Sequence, residues 1–225
     1  MPLDIAIVAF TTFFATIGPI DVAAVYAVMA PNATAHTRRS MALRGVFVSG
    51  IILLSFALIG DFVLSSLNIS LAALRVAGGI LLLLIGIEMV FARHSGGTST
   101  TREENTEAAT REDISVFPLA TPLIAGPGAI GAVILLMADA KGSFAAQVIT
   151  VVALLVVLLI TLILLLLSNK VRLLLGVTGM QVISRVLGIL LSALAVQFMF
   201  NGIEQSGLLG GIAAASGSQS VVPGP

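Results

Sequence analysis

The chain has 225 residues, of which 58% are hydrophobic and 10% charged, with a mean hydropathy of +1.13. A water-soluble domain holds about 45–50% apolar and about a quarter charged residues, and one core in a chain this size cannot hide the surplus, so the composition calls for lipid. The formal net charge is zero and there is no cysteine, which argues against a nucleic-acid partner and excludes disulfides and thiolate metal sites.

Crossing a bilayer as a helix takes about 20 mostly apolar residues, and no stretch here alternates with the period of two that a barrel strand needs. Six stretches qualify: Ile5–Val28, Gly45–Leu64, Leu71–Phe91, Ile114–Met137, Phe144–Leu167 and Met180–Ile203. No Lys or Arg precedes Arg38, so the first stretch lacks the charged front of a cleaved leader and reads as a retained helix. The fifth is uncharged and rich in Leu and Val, and reads as a silent, lipid-facing span. Between the third and fourth, Arg93–Asp113 is a Ser/Thr/Glu-rich run too polar to offset its own ordering entropy. Beyond Ser206 the chain turns to Gly, Ala and Ser and ends in Pro-Gly-Pro. The expected organisation is therefore a three-helix unit over 1–93, a flexible linker over 94–113, a second three-helix unit over 114–205 and a flexible tail over 206–225.

With six spans, the odd-numbered connections share one side. That side carries Arg38, Arg39, Arg44, Arg93, Arg102, Arg111, Lys170, Arg172 and Arg185, against Arg75 and Lys141 on the other. The positive-inside rule places the odd loops in the cytoplasm and both termini outside.

The two units resemble each other. Ala15-Thr16-Ile17-Gly18-Pro19-Ile20 leads into Ala23-Ala24-Val25, and Leu123-Ile124-Ala125-Gly126-Pro127-Gly128 leads into Gly131-Ala132-Val133. Arg75-Val76-Ala77-Gly78-Gly79-Ile80-Leu81 matches Arg185-Val186-Leu187-Gly188-Ile189-Leu190 with a slip of one residue. Three spans are an odd number, so the second unit enters the membrane from the opposite side, as in the inverted repeats of secondary transporters. The expected fold is all-α, six transmembrane helices as two inverted repeats, with helix breaks at the Gly-Pro pairs.

Proline removes a helical hydrogen bond in mid-helix but fits the first position of a new helix, with glycine ahead of it as cap. Gly18-Pro19 and Gly126-Pro127 are thus candidate junctions of half-helices, with Thr121-Pro122 a further break. A half-helix start presents free N–H groups to an anion, while the competing reading is a kink that only tunes packing, with Thr16 or Thr121 satisfying the freed groups. Asp21 lies in the first turn after Pro19 and is either a partner for an ammonium or proton, or a helix cap. The second unit has no acid there. Gly18, Pro19, Asp21, Thr121, Gly126, Pro127 and Gly128 are accordingly the candidate ligand-binding residues, with Asp21 and Glu88 the candidates for coupling to H+ or Na+. Asp61 and Arg75 are expected to pair across the turn between spans two and three. Gly78 and Gly79 are expected to admit close helix packing, and Arg185 to reach the interface. His36 and His94 fall in polar stretches, so neither a metal site nor a cofactor is expected.

The run Phe117-Pro118-Leu119-Ala120-Thr121-Pro122-Leu123-Ile124-Ala125-Gly126-Pro127-Gly128-Ala129-Ile130 resembles the signature of the MarC-like family of bacterial and archaeal membrane proteins. Ile183–Leu190, Ala195-Val196-Gln197-Phe198 and Asn201-Gly202-Ile203 resemble that family's last helix, and Gly78-Gly79-Ile80-Leu81-Leu82 its third, so the likeness spans about 5–205. The resemblance implies a six-span inner-membrane protein, some members being described as transporters of neutral amino acids such as glycine or alanine. The chain departs from the family where the first helix usually reads Asn-Pro, then Gly and a second Pro; here stand Gly18-Pro19, Asp21 and Ala24. Three functions follow: a secondary transporter of small zwitterions first, then an exporter or channel for another solute or ion, then a non-transporting scaffold or regulator. There is no Ser/His pair, no paired aspartate and no phosphate loop, so an enzyme and an ATP-driven pump are not expected.

Overall fold

The computed structural model describes residues 2–29, 34–91 and 113–207, all helix and turn. Of the expected linker over 94–113 only Asp113, and of the expected tail over 206–225 only Ser206 and Gly207, fall within the described residues. The helices are α1 (Pro2–Ile17), α2 (Pro19–Met29), α3 (Ala35–Ser66), α4 (Leu71–Phe91), α5 (Ser115–Ile124), α6 (Pro127–Asp139), α7 (Phe144–Leu166) and α8 (Ser168–Gln205). Among the described residues, five stretches are long and apolar enough to cross a membrane, and α5 with α6, bent by 55°, makes a sixth when the bent pair is counted as one span.

Local chemistry sets the helix ends. Thr34 caps α3, its hydroxyl accepting from the Thr37 N–H at 3.2 Å, and Ser143 caps α7 by accepting from the Ala146 N–H at 3.3 Å. Asn68, with φ 55°, takes the left-handed turn that ends α3, and Ser70 then accepts from the Ala73 N–H at 3.1 Å to start α4.

Large side chains cover the outside. Phe47, Leu58, Phe62, Phe91 and Phe144 are all well exposed, a surface that water would not tolerate and acyl chains accept. Inside lie Phe13, Tyr26, Leu53, Leu82, Leu119, Ile124, Leu135 and Leu154.

Helices consecutive in the chain touch only slightly; packing runs between 2–91 and 113–207. The most extensive pairing joins α4 to α8, while α7 takes α1, α2 and α3, and α6 takes α1, α3 and α4. Lipid supplies no hydrophobic drive between helices, so close approach must provide the attraction. The α4–α8 seam is made of small residues seven apart: Ala72, Gly79 and Gly86 against Gly202, Ala195 and Gly188, in antiparallel register. A Cβ added to Gly79 would stand 2.7 Å from the Ala195 carbonyl, and one on Gly188 would stand 2.8 Å from the Gly86 carbonyl.

One expectation needs correction. Span five is not simply lipid-facing: Ala146, Thr150, Ala153, Leu154, Val157, Leu158, Thr161 and Leu165 form a buried stripe along α7. The Thr150 and Thr161 hydroxyls donate to carbonyls one turn back, at 2.9 and 2.8 Å, which lets polar side chains sit there. Arg75 pairs with Asp139, its Nε donating to Asp139 Oδ1 at 2.6 Å. The packing of α4 on α6 brings this acid, far away in sequence, to Arg75, whereas the side chain of Asp61 lies outside the described residues.

Gly188→Ala should lower stability by about 1–3 kcal/mol, because the new methyl meets backbone on the facing helix. Gly131→Ala, where a Cβ meets nothing within 4 Å, should raise it by up to about 1 kcal/mol through helix propensity. Unfolding of the purified chain in mixed micelles measures both, and the opposite signs are the diagnostic outcome.

Candidate functional site

Both Gly-Pro pairs interrupt a helix, by different geometry. Gly18 adopts φ +60°, a conformation natural to glycine, and its N–H still donates to the Phe14 carbonyl at 3.1 Å. Its own carbonyl accepts from the Val22 N–H at 2.9 Å, so the chain continues from α1 into α2 as one stretch long enough to span, Pro2–Ala27. Pro19 is buried at the first position of α2, where its missing N–H deprives no carbonyl. The Asp21 carboxylate folds back towards Gly18, with Oδ2 3.5 Å from where a Gly18 Cβ would stand. Its Oδ1 accepts from the Ser184 hydroxyl at 2.6 Å, which ties α2 to α8.

The second interruption is wider. Phe117 and Thr121 precede prolines and are extended, at φ −128°, ψ 126° and φ −132°, ψ 129°, as the bulk of the following ring demands. The Phe117–Pro118 and Thr121–Pro122 peptides are cis. Around them the backbone closes wide loops, Leu119 N–H to the Ile114 carbonyl at 3.1 Å and Ala125 N–H to the Ala120 carbonyl at 2.8 Å. Thr121 Oγ1 donates to the Val116 carbonyl at 3.4 Å. The buried Ser49 hydroxyl of α3 lies 2.7 Å from the Gly45 carbonyl and 3.4 Å from the Ala120 carbonyl, offering a second donor to the irregular segment. Gly45 lets α3 approach so closely, since a Cβ there would be 2.6 Å from Leu119 Cδ2. Gly126 then caps α6 with φ −80°, ψ 171° and Pro127 follows at the first position; no side chain caps this end. Gly128 is buried, and a Cβ on it would collide with the tip of Ile85 on α4.

The candidate residues therefore lie as two groups, Gly18, Pro19 and Asp21 with Ser184, and Thr121, Gly126, Pro127 and Gly128 with Ile85. Glu88 is half-buried on α4, one turn beyond Ile85, with Oε2 inside the protein. Contacts between α2 and α5 connect the regions, and the Asp21 carboxylate is held by Ser184 of α8.

Sequence reasoning missed a second polar cluster at the arginine-rich end. Tyr26, the chain's one tyrosine, is buried, and its hydroxyl donates to the Arg38 carbonyl at 2.6 Å. The Arg38 guanidinium lies 5.6 Å from the centre of that ring and donates through Nη2 to the Ser168 hydroxyl at 3.1 Å. The cluster joins α2, α3 and the start of α8. A lone tyrosine twelve residues before an arginine-rich stretch was the available signal. Beside it, Asp113 accepts from the Ser115 N–H at 2.9 Å and meets Arg44 at 3.3 Å. Hydrogen bonds from Ser115, followed by the Arg44 charge, hold the Asp113 carboxyl below the usual aspartate range.

An apolar-belted helical bundle with one span wound around prolines is the architecture of a polytopic integral membrane protein. The chain belongs to the MarC family of integral membrane proteins, whose family model matches residues 3–206. It is 36% identical over 204 residues to the UPF0056 membrane protein MJ1677 of Methanocaldococcus jannaschii, covering 91% of this chain and 98% of that one. It is 32% identical over 198 residues to YvbG of Bacillus subtilis, covering 87% and 92%, and 33% identical over 195 residues to YhcE of Escherichia coli, covering 87% and 90%. Both are likewise UPF0056 membrane proteins. No solved structure matches the chain.

Tyr26→Phe should cost about 1 kcal/mol of stability, the usual net worth of one buried hydrogen bond. Chemical unfolding in micelles reads it.

Proposed function

We propose that the chain is a secondary transporter of small zwitterionic solutes, with neutral amino acids such as glycine or alanine the first candidates, working by alternating access between two inverted three-helix repeats. The observation that carries the reading is the exchange pattern of the packing. The pair α1–α2 lies against α7 and α8; its counterpart α5–α6 lies against α3 and α4. The remaining large contacts, α4 with α8 and α3 with α7, join corresponding spans. Each repeat also interrupts its first span at a Gly-Pro pair. Such a frame has two equivalent ways to pack, which is what alternating access requires.

The uncapped amide end of α6 at Gly126–Gly128 is suited to a solute carboxylate, and Asp21 to its ammonium. In the resting arrangement Ser184 satisfies one oxygen of Asp21, and a solute ammonium would take its place. Proton or sodium coupling belongs on this reading to Asp21 or Glu88. The arginine-rich connections face the cytoplasm of a bacterial or archaeal cell and both termini lie outside. Family membership supports a multi-pass membrane protein and is neutral about cargo.

Counterflow of labelled alanine and glycine in proteoliposomes tests the reading. Exchange above empty vesicles is expected, falling at least about tenfold in Asp21→Asn, the loss of a charge-assisted hydrogen bond. Absence of exchange for any neutral amino acid across pH and sodium conditions retires the proposal, and unchanged exchange by Asp21→Asn removes Asp21 from it.

A further inference from the structure

A cavity of about 300 Å³ opens at the end of the bundle opposite the arginine-rich one, between α1, α6, α7 and α8. Ile5 and Val8 line it from α1, Leu136 from α6, Thr150 from α7 and Leu194 from α8. One turn further into the bundle the space is closed. Val133, Leu154 and Leu191, the next positions inward on α6, α7 and α8, are buried members of the shared core. On α1 the next position inward is Thr12, because residues three and four apart stack on one side of a helix. The layer beneath the cavity is thus apolar on three walls and carries a hydroxyl on the fourth.

That hydroxyl differs from its neighbours. Thr16, Ser49, Thr150 and Thr161 are also buried, and each donates to the carbonyl four residues back, at 2.7 to 2.9 Å. Thr12 is wholly buried, at 0% exposure, and its Oγ1 has no hydrogen-bond partner. The Val8 carbonyl, four residues back, is placed for the same repair, and the repair is not made. An unpaired hydroxyl in an apolar interior costs stability, so one that persists calls for a partner outside the resting contacts. Direction says where that partner comes from. Cα–Cβ bonds tilt towards the start of their helix, and α1 starts at the cavity end, so the Thr12 side chain leans towards the cavity. Deeper along the chain come Thr16 and then the Gly18 turn with Asp21. Thr12 is therefore the polar step between the cavity and one of the two groups of residues assigned above to a solute.

A hydroxyl both donates and accepts, so it serves either pole of a zwitterion, and the apolar walls around it suit a short hydrocarbon body. We infer that Thr12 is a ligand-binding residue: its hydroxyl hydrogen-bonds a small neutral amino acid that enters from the cavity, and the layer at Thr12 is the closed floor of that entrance. The inference takes its solute from the transport reading, while the contact itself is a binding event that can be measured without transport.

The chain has no cysteine, so a single introduced thiol reports on one place. Val8→Cys in the purified full chain in micelles is treated with a water-soluble maleimide, with and without L-alanine. The thiol reacts, and alanine slows the reaction. Adding Thr12→Val raises the half-protecting alanine concentration at least about tenfold, the loss of one hydrogen bond to a charged group, and Thr12→Ser in its place restores most of the protection. Thr12→Val also exchanges an unpaired hydroxyl for a methyl of the same shape, so its thermal unfolding midpoint lies at or above that of the wild type. An unreactive Val8→Cys, no protection by alanine, unchanged protection in Thr12→Val, or a midpoint lowered by Thr12→Val overturns the inference. Failed amino-acid counterflow alongside protection that depends on Thr12 removes the transport reading and leaves this contact in place.

Discussion

A peptide group in hydrocarbon has no water to turn to, and an unpaired N–H or C=O there costs several kcal/mol. Every departure from regular helix in this protein has to be repaired from within, and the repairs explain most of its unusual geometry. At Gly18 the repair is minimal: a left-handed glycine keeps its own donor and acceptor engaged, and proline occupies the one position that wants no donor. Between Ile114 and Ala125 two prolines leave a longer gap. There the backbone widens its hydrogen-bonded loops, Thr121 turns its hydroxyl back on the chain, and Ser49 reaches over from α3. Ser49 can do so because Gly45 removes the side chain that would hold α3 away from Leu119. A glycine on one helix thus supports an irregular segment on another.

The same solvent removes the usual force between helices, and this gives the α4–α8 seam its importance. Small residues every seven positions let two backbones run side by side with carbonyls facing Cα groups, where dispersion and weak C–H···O contacts replace hydrophobic burial. Since α4 belongs to the first part of the chain and α8 to the second, the seam also fastens the two parts together. Consecutive helices touch slightly, so neither part has a core of its own. Phe13 of α1, Leu53 of α3, Leu135 of α6 and Leu154 of α7 belong to one shared interior.

Much of this was legible in the residues. Leu71–Phe91 is a helix with those bounds, and the other spans begin and end within a few positions of where hydropathy places them, apart from the long N-terminal starts of α3 and α8. Length and apolarity decide such boundaries, and both are local. What escaped is long-range or one-sided. The acid that Arg75 meets, Asp139, stands on α6, 64 residues further along the chain. Ser184, which binds Asp21, comes from the far end of the chain. The buried stripe of α7 left no hydropathy signature because its lipid face is as apolar as its core face; only Thr150 and Thr161 marked the inner side. Gly78-Gly79 drew attention as a pair, while the informative pattern was the seven-residue spacing that links Gly79 to Gly86 and, through Ala195, Gly188 to Gly202. The winding of α5 was anticipated as a break, but its form depends on Ser49 and Gly45 of another helix, which no local reading contains.

The two ends of the bundle are unequally closed. At the arginine-rich end, the Tyr26 hydroxyl and the Arg38 guanidinium tie α2, α3 and α8 together, and Tyr26 is almost wholly buried. At the other end a cavity lies among α1, α6, α7 and α8, and the Arg75–Asp139 ion pair beside it joins α4 to α6. Under the transport reading, closing the cavity and opening the latch are one movement, because the helices that would have to part at one end are packed against those that would have to meet at the other. The two latch hydrogen bonds represent roughly 2 kcal/mol at the usual net value per bond. A ligand therefore needs about a 30-fold preference for the alternative packing to offset them. Two or three well-placed polar contacts on a molecule the size of alanine can provide that preference. On the transport reading, the latch holds one packing in the absence of ligand and is released by a small solute.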